Sequence, residues 1–135
     1  GAKNHMIIMH DADMDQTVDA LIGAGYGSAG ERCMAISVAV PVGNETGERL
    51  FEKLIPRVES LKVGPSTDPS AHFGPLVTKA HLDKVRSYVD LRVQEGARLV
   101  VDGPGGKVCR REDRDEDPSL RQDLAFHRVD EGARG

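Results

Sequence analysis

The strongest constraint on the fold is a pair of short apolar runs separated by a segment with helical spacing. The first run, Met6-Ile7-Ile8-Met9, lies within His5 to Met9. Its length and branched residues are typical of a buried strand in a parallel sheet. Asp11-Ala12-Asp13 follows and predicts a helix N-cap, because a carboxylate accepts hydrogen bonds from the free amides of a first turn. The apolar positions beyond it lie on one helical face: Met14, Val18, Leu21 and Ile22.

A glycine-rich stretch separates this helix from the second run. The glycines at 23, 25, 27 and 30 weaken helical structure and predict the end of the helix. Ile36 to Val42 then predicts a second strand, in which valines alternate with smaller residues. Pro41 places this strand at a sheet edge or marks the end of the strand.

Two further helices and one strand complete the predicted order. Thr46 to Leu61 predicts an amphipathic helix, with Pro56 as a site for a kink or an early end. Thr78 predicts the cap of a third helix, and Gly96 predicts its stop. Ala97 to Val101 is predicted to be a short strand. Alternation of strands and helices predicts an α/β fold with mostly parallel strands and crossover helices.

The composition changes after Asp102. Gly103 to Gly106 is a flexible break, and every residue from Arg110 to Asp117 is charged. Such a segment buries too little apolar surface to offset the entropy of ordering. The sequence therefore predicts a folded unit over residues 1–102 and a disordered tail over residues 103–135.

Composition excludes several classes of function. Lys+Arg number 18 against 22 Asp+Glu, a formal charge of -4, which argues against nucleic acid as a partner. No apolar run approaches the roughly 20 residues of a membrane span, and the first residues lack the charged-then-apolar pattern of a signal peptide, so neither feature is expected. The five histidines lack ligand spacing, so no metal site is predicted. Cys33 and Cys109 form no C-x-x-C pair and suit a reducing compartment, so the expected location is the cytoplasm.

Cys33 stands in the most informative local pattern. The segment Gly27-Ser28-Ala29-Gly30-Glu31-Arg32-Cys33-Met34-Ala35-Ile36-Ser37 resembles the cysteine signature of the aldehyde dehydrogenase superfamily. That signature has a glycine three residues before its nucleophilic cysteine and a serine four residues after it. Gly30, Cys33 and Ser37 keep these intervals. The opening Gly1-Ala2-Lys3-Asn4 also looks like the family's Gly-Gly-Lys turn.

Details of the resemblance favour one branch, the acylating methylmalonate-semialdehyde (malonate-semialdehyde) dehydrogenases. Members of this branch have Gly-Ala-Lys-Asn-His, as residues 1–5 do here, and an arginine directly before the cysteine, as Arg32 is. The resemblance covers residues 1–102 and implies a partial catalytic domain. Residues 103–135 do not resemble this branch, so that tail is interpreted as disordered or out of frame.

The resemblance implies a reaction as well as a fold. A thiolate at Cys33 attacks the aldehyde carbon, hydride passes to NAD, and coenzyme A takes the acyl group from the resulting thioester. Sulfur suits this sequence, because a thiolate is strongly nucleophilic and a thioester remains reactive. The products implied are acetyl- or propionyl-CoA from malonate or methylmalonate semialdehyde, with the substrate's carboxylate lost as bicarbonate before the CoA ester is released. No residue of this chain is assigned to NAD or coenzyme A, and neither molecule is expected to bind this chain tightly.

Arg32 is the predicted substrate-binding residue. The branch acts on aldehydes that carry a carboxylate, and a guanidinium binds a carboxylate through two parallel hydrogen bonds. The alternative is an ordinary surface charge. Gly27 and Gly30 are expected to let the backbone approach substrate, or simply to end a helix. Lys3 and Asn4 are expected to serve turn and strand geometry.

Two other interpretations stay open. The chain alone is expected to be inactive, because the family's dinucleotide-binding domain lies outside the matched part, and at most it associates with intact subunits of a homo-oligomeric family. A thiol redox role for Cys33 is the unrelated alternative, disfavoured because no resolving cysteine lies near it in sequence. Cys109, in the tail, is interpreted as an idle thiol.

Overall fold

The computed structural model describes residues 3–97 and 99–101. Two strands and three helices form in the order β1 (Asn4–Ile8), α1 (Met14–Leu21), β2 (Ile36–Pro41), α2 (Asn44–Glu59) and α3 (Lys79–Gln94). A π-helical turn over Ile22–Tyr26 and a 3-10 turn over Gly27–Gly30 connect α1 to the segment before β2. The predicted tail at 103–135 lies outside the described residues.

The two strands pair in parallel, with α1 in the crossover between them. Ile7 lies opposite Val40 and Ile8 opposite Pro41, and the register shifts between Asn4 and His5. Pro41 ends β2, which suits a residue that has no amide hydrogen for a ladder. The α/β prediction with parallel strands and a crossover helix is confirmed.

The core lies between one face of this sheet and the first two helices. Each buried member is an apolar or aromatic side chain, so burial of apolar surface is the main stabilising term. The central cluster consists of Ile8, Met14, Val18, Leu21, Tyr26, Leu50, Leu54, Val58, Leu61 and Phe73. The opposite face of the sheet leaves Ile7 and Val40 exposed.

Local rules account for the helix ends. Asp13 caps α1, its Oδ1 accepting from the amides of Asp15 at 2.9 Å and Gln16 at 3.0 Å. Thr78 caps α3 by accepting from the amide of His81 at 3.2 Å. Gly96 follows α3 with φ 94°, a left-handed conformation that favours glycine.

Helix α2 runs on through Pro56 to Glu59 rather than ending early. Exposed ion pairs join it to α1: Lys53 Nζ lies 2.6 Å from Asp15 Oδ1, and Arg57 Nη2 lies 2.6 Å from Asp19 Oδ1. Exposed pairs of this kind contribute little to stability. They do fix which sides of α1 and α2 face each other.

The predicted strand over Ala97 to Val101 is wrong for the residues that the structure describes. Ala97 and residues 99–101 have no strand assignment. A strand needs a hydrogen-bonded neighbour, and the described sheet consists of β1 and β2 alone. Val100 and Val101 instead line an apolar cleft on α2 together with Tyr26, Phe51 and Leu54.

No helix within the described ranges is long and apolar enough to cross a membrane. The same ranges contain no group of three or more His, Cys, Asp or Glu side chains that could hold a metal ion.

Candidate active site

The segment that leads into Cys33 has an unusual backbone. Ser28 has φ 53°, Ala29 has φ 59° and Gly30 has φ 69°, so three successive residues are left-handed. Only glycine adopts this region without steric cost, and strain of this kind concentrates at functional sites. The Glu31 amide closes the turn by donating to the Ser28 carbonyl at 3.0 Å. The chain is thereby directed outward before Arg32.

A second turn presents the cysteine. The Ala35 amide donates to the Arg32 carbonyl at 3.1 Å, so Cys33 and Met34 form the tip. Ala35 is buried and precedes β2, whereas Cys33 is exposed. A cysteine used for packing is usually buried, whereas a reactive one needs access to its substrate.

Asn4 holds this turn from the first strand. Its Nδ2 donates to the Cys33 carbonyl at 3.2 Å and to the Ala35 carbonyl at 3.0 Å. One amide group therefore donates to a carbonyl at the tip of the cysteine turn and to another at its end, across about thirty residues of sequence. The start of β1 and the approach to β2 are fixed relative to each other by this side chain.

The guanidinium of Arg32 lies over Gly27. A Cβ atom built on Gly27 would stand 3.4 Å from Cζ and 3.4 Å from Nη1 of Arg32. The neighbouring carboxylate, Glu31, is engaged elsewhere, since its Oε1 lies 3.4 Å from Nδ1 of His81 on α3. In the described part of the chain Arg32 has no carboxylate partner, so its charge is available to a ligand.

Beneath the turn the environment is apolar. Tyr26 is buried, and burial raises the pKa of its hydroxyl well above the ordinary value. Tyr26 is therefore neutral throughout the physiological pH range and has a packing role. Ala29 packs against the same core, which anchors the left-handed segment from below.

The structure brings together the two residues that the sequence singled out, Cys33 and Arg32, on one exposed turn. Gly30 has a left-handed φ of 69°, which favours glycine, whereas the sequence predicts close approach of the backbone to substrate or a helix end at this residue. The side-chain bonds of Asn4 were missed in detail, since the sequence predicted only turn and strand geometry for that residue. Its neighbour Lys3 supplies a carbonyl, 2.7 Å from Nδ1 of His5.

Comparison with known proteins decides the family. The model of the family described as "Aldehyde dehydrogenase family" matches residues 1–118. This chain belongs to the aldehyde dehydrogenase family. An aldehyde dehydrogenase segment is therefore the setting of three features: the exposed turn at Cys33, the two hydrogen bonds from Asn4, and the left-handed residues 28–30.

Individual relatives point to one branch. The chain is similar to malonate-semialdehyde dehydrogenase of Pseudomonas aeruginosa, with 54% identity over 112 residues, which is 83% of this chain and 22% of that protein. It is also similar to malonate-semialdehyde dehydrogenase 1 of Oceanobacillus iheyensis, with 45% identity over 76% of this chain and 21% of the relative. The chain thus spans about a fifth of the length of the curated relatives it matches.

Solved structures give the same result. A structure described as methylmalonate-semialdehyde dehydrogenase of Sinorhizobium meliloti 1021 complexed with NAD superposes with a TM-score of 0.75 at 64% identity. That match covers 81% of this chain and 22% of the other. The methylmalonate-semialdehyde dehydrogenase of Oceanimonas doudoroffii gives a TM-score of 0.74 at 52% identity, over 84% of this chain and 23% of the other.

Proposed function

We propose that this chain carries the nucleophile and a carboxylate-binding residue of an acylating semialdehyde dehydrogenase that oxidises malonate or methylmalonate semialdehyde. The single observation that carries the proposal is the exposed turn in which Cys33 stands beside an Arg32 that has no carboxylate partner among the described residues. High identity to enzymes named for these substrates supports it.

Cys33 is the proposed nucleophile. Its thiolate would attack the aldehyde carbon, and the C–S bond would form as the carbonyl oxygen gains negative charge. The exposed position gives the substrate access, and the two hydrogen bonds from Asn4 fix the backbone of the turn on both sides. A nucleophile fixed in this way loses less entropy when it reacts.

Arg32 is the proposed recognition group for the substrate's carboxylate. A guanidinium forms two parallel hydrogen bonds with a carboxylate, which sets both distance and direction. The carboxylate of the adjacent Glu31 does not contact this guanidinium but lies 3.4 Å from Nδ1 of His81. A substrate whose carboxylate lies on Arg32 would then have its aldehyde carbon near the neighbouring cysteine.

NAD and coenzyme A are proposed as co-substrates of the reaction, but no residue described here is assigned to either. The cleft on α2 is lined by Tyr26, Phe51, Leu54 and neighbouring apolar residues. Such a lining does not fit the pyrophosphate groups of either molecule, which need amide donors or cations. This cleft is therefore not proposed as the binding site of these pyrophosphate groups.

A chimeric enzyme tests the proposed function. Residues 1–102 of this chain would replace the matching segment of the Pseudomonas aeruginosa malonate-semialdehyde dehydrogenase, and NADH formation would be followed with malonate semialdehyde and coenzyme A. We expect an active chimera whose Cys33→Ala variant folds but forms no NADH. Undiminished turnover by that variant would exclude Cys33 as the nucleophile.

A second candidate is that the 135-residue chain is catalytically inactive alone and at most associates with intact subunits. The observation in its favour is that the chain spans only 22% of its relative's length. Catalysis requires hydride donor and acceptor to be held together. The isolated chain is expected to give no NADH in the same assay, and a clear signal would refute this candidate. Co-purification of the chain with the full-length relative would distinguish a chain that binds intact subunits from one that does not.

A further inference from the structure

Gly27 is a glycine that its backbone does not require. Its φ of −54° and ψ of 132° lie in the extended region, which every L residue adopts without strain. Gly30, Gly43 and Gly96 differ, because their φ angles of 69°, 90° and 94° are left-handed. At Gly27 the feature of interest is therefore the space into which a side chain would extend.

The guanidinium of Arg32 occupies that space. A Cβ atom on Gly27 would stand 3.4 Å from Cζ, 3.4 Å from Nη1 and 3.5 Å from Nη2. These three atoms belong to one planar group, so the guanidinium lies against the glycine. A methyl group would just reach van der Waals contact, and a longer side chain would need the volume that the guanidinium now fills.

We propose that Gly27 is the seat of the Arg32 guanidinium, that is, the backbone surface against which this group packs. By holding the guanidinium there, Gly27 determines the preference of the Cys33 site for anionic aldehydes. This inference rests on the carboxylate-binding role proposed for Arg32. Gly27 is a positioning residue, since it acts through Arg32 and contributes no functional group. A long arginine side chain loses rotamer freedom when it binds a ligand, and a preformed seat reduces that loss.

The position of the Glu31 carboxylate supports the same geometry. This carboxylate lies 3.4 Å from the His81 ring, so the residue next to Arg32 does not draw the guanidinium away from Gly27. The anion that completes this site is therefore a ligand rather than a neighbouring side chain of the described chain. Small aldehydes with a carboxylate a few bonds from the carbonyl fit a cation adjacent to the nucleophile.

The test compares the alkylation of Cys33 by two reagents that differ in charge. Iodoacetate is anionic, whereas iodoacetamide is neutral, so the ratio of their rates reports the positive potential at the thiol. The 135-residue chain would carry Cys109→Ser, so that a single thiol remains, and mass spectrometry would follow the peptide that contains Cys33. Far-ultraviolet circular dichroism would check that each variant is folded.

The substitutions are Arg32→Gln, Gly27→Ala and Gly27→Val. Gly23→Ala and Gly23→Val are matched controls, because a Cβ at Gly23 meets nothing within 4 Å. Loss of a nearby cation should lower the ratio roughly three- to tenfold in Arg32→Gln. Gly27→Val should lower it by a similar factor, because its outer carbons enter the volume of the guanidinium. Gly27→Ala, whose methyl group only reaches van der Waals contact, and the Gly23 variants should leave it nearly unchanged. In the Arg32→Gln background, Gly27→Val should have no further effect.

The outcomes distinguish the seat at Gly27 from the anion-binding role of Arg32. A lowered ratio in Arg32→Gln with an unchanged ratio in folded Gly27→Val would refute the seat while leaving the role of Arg32 in place. An unchanged ratio in Arg32→Gln would instead contradict the anion-binding role itself. If Gly27→Val is unfolded, Gly27→Leu takes its place, because its side chain is not branched at Cβ while its outer carbons still enter the volume of the guanidinium: a reduced ratio supports the seat, and an unchanged ratio overturns it.

Discussion

At the scale of single residues, the site depends on unfavourable backbone conformations and on contacts between residues that are distant in sequence. Ser28 and Ala29 adopt left-handed φ angles of 53° and 59°, which cost an L residue on the order of 1 kcal/mol each. The buried contacts of Ala29 and the bonds made by Asn4 hold the segment in place. The strained turn is thus stabilised by its surroundings rather than by its own sequence.

Asn4→Ala should loosen the cysteine turn. The variant loses the hydrogen bonds to the carbonyls of Cys33 and Ala35, and two such bonds contribute about 1–2 kcal/mol to the free energy of unfolding. Urea denaturation followed by circular dichroism measures the loss. Asn44→Ala is the matched control, because Asn44 is exposed at the start of α2 and should change stability by less than about 0.5 kcal/mol. Equal effects of the two substitutions would contradict the bridging role of Asn4.

At the scale of elements, much follows from local chemistry. Asp13, Thr78 and Gly96 act at the helix ends where the sequence predicts them, because capping depends only on residues a few positions away. Among the described residues the strand predicted after Gly96 is not formed, because a strand requires a hydrogen-bonded neighbour and the described sheet contains only β1 and β2. Element boundaries set by local bonds were therefore predictable, and those set by pairing were not.

Asp13→Ala should destabilise the chain through α1. Two amides of the first turn lose their acceptor, and removal of an N-cap costs about 1 kcal/mol. Thermal unfolding followed at 222 nm would show a lower midpoint for this variant. Asp11→Ala serves as control, since Asp11 is exposed and lies before the cap. A midpoint as high as that of the unsubstituted chain would show that the cap is dispensable.

At the scale of the whole molecule, the sheet has one buried and one exposed face. Ile8 is 2% exposed, whereas its neighbour Ile7 is 67% exposed and lies opposite Val40, which is 39% exposed. Parallel sheets are usually covered on both faces, so this exposed apolar face is unusual for a finished domain. It accords with a chain that spans about a fifth of its relatives' length.

The double substitution Ile7→Thr with Val40→Thr should reduce binding of a hydrophobic dye and self-association of the chain. Threonine keeps the branched shape that suits a strand while it removes exposed apolar surface. Dye fluorescence and sedimentation velocity measure the two effects, and the unfolding midpoint should change little. Ile8→Thr is the contrasting control and should cost more than about 2 kcal/mol, because it buries a hydroxyl in the core. Unchanged dye binding by the double variant would show that this face is not the exposed apolar surface.

The position of the candidate site was indicated by the sequence, whereas its construction was not. The spacing of Gly30, Cys33 and Ser37 and the adjacent Arg32 point to Cys33 as a nucleophile and to Arg32 as its neighbour in the site, and both roles stay predictions. The left-handed Ser28-Ala29 pair gave no signal, because neither residue favours that conformation. The bridge from Asn4 and the packing of Arg32 on Gly27 also depend on the folded chain, since each joins residues that local rules do not relate.

The central claim is that Cys33 forms the acyl intermediate, and trapping that intermediate tests it most directly. The active chimera with the Pseudomonas aeruginosa enzyme would be mixed with NAD and malonate semialdehyde without coenzyme A, quenched in acid and analysed by peptide mass spectrometry. The account predicts an acyl adduct on the peptide that contains Cys33 and its absence in Cys33→Ser. NADH formation with no adduct on Cys33, or an adduct on another residue, would contradict it.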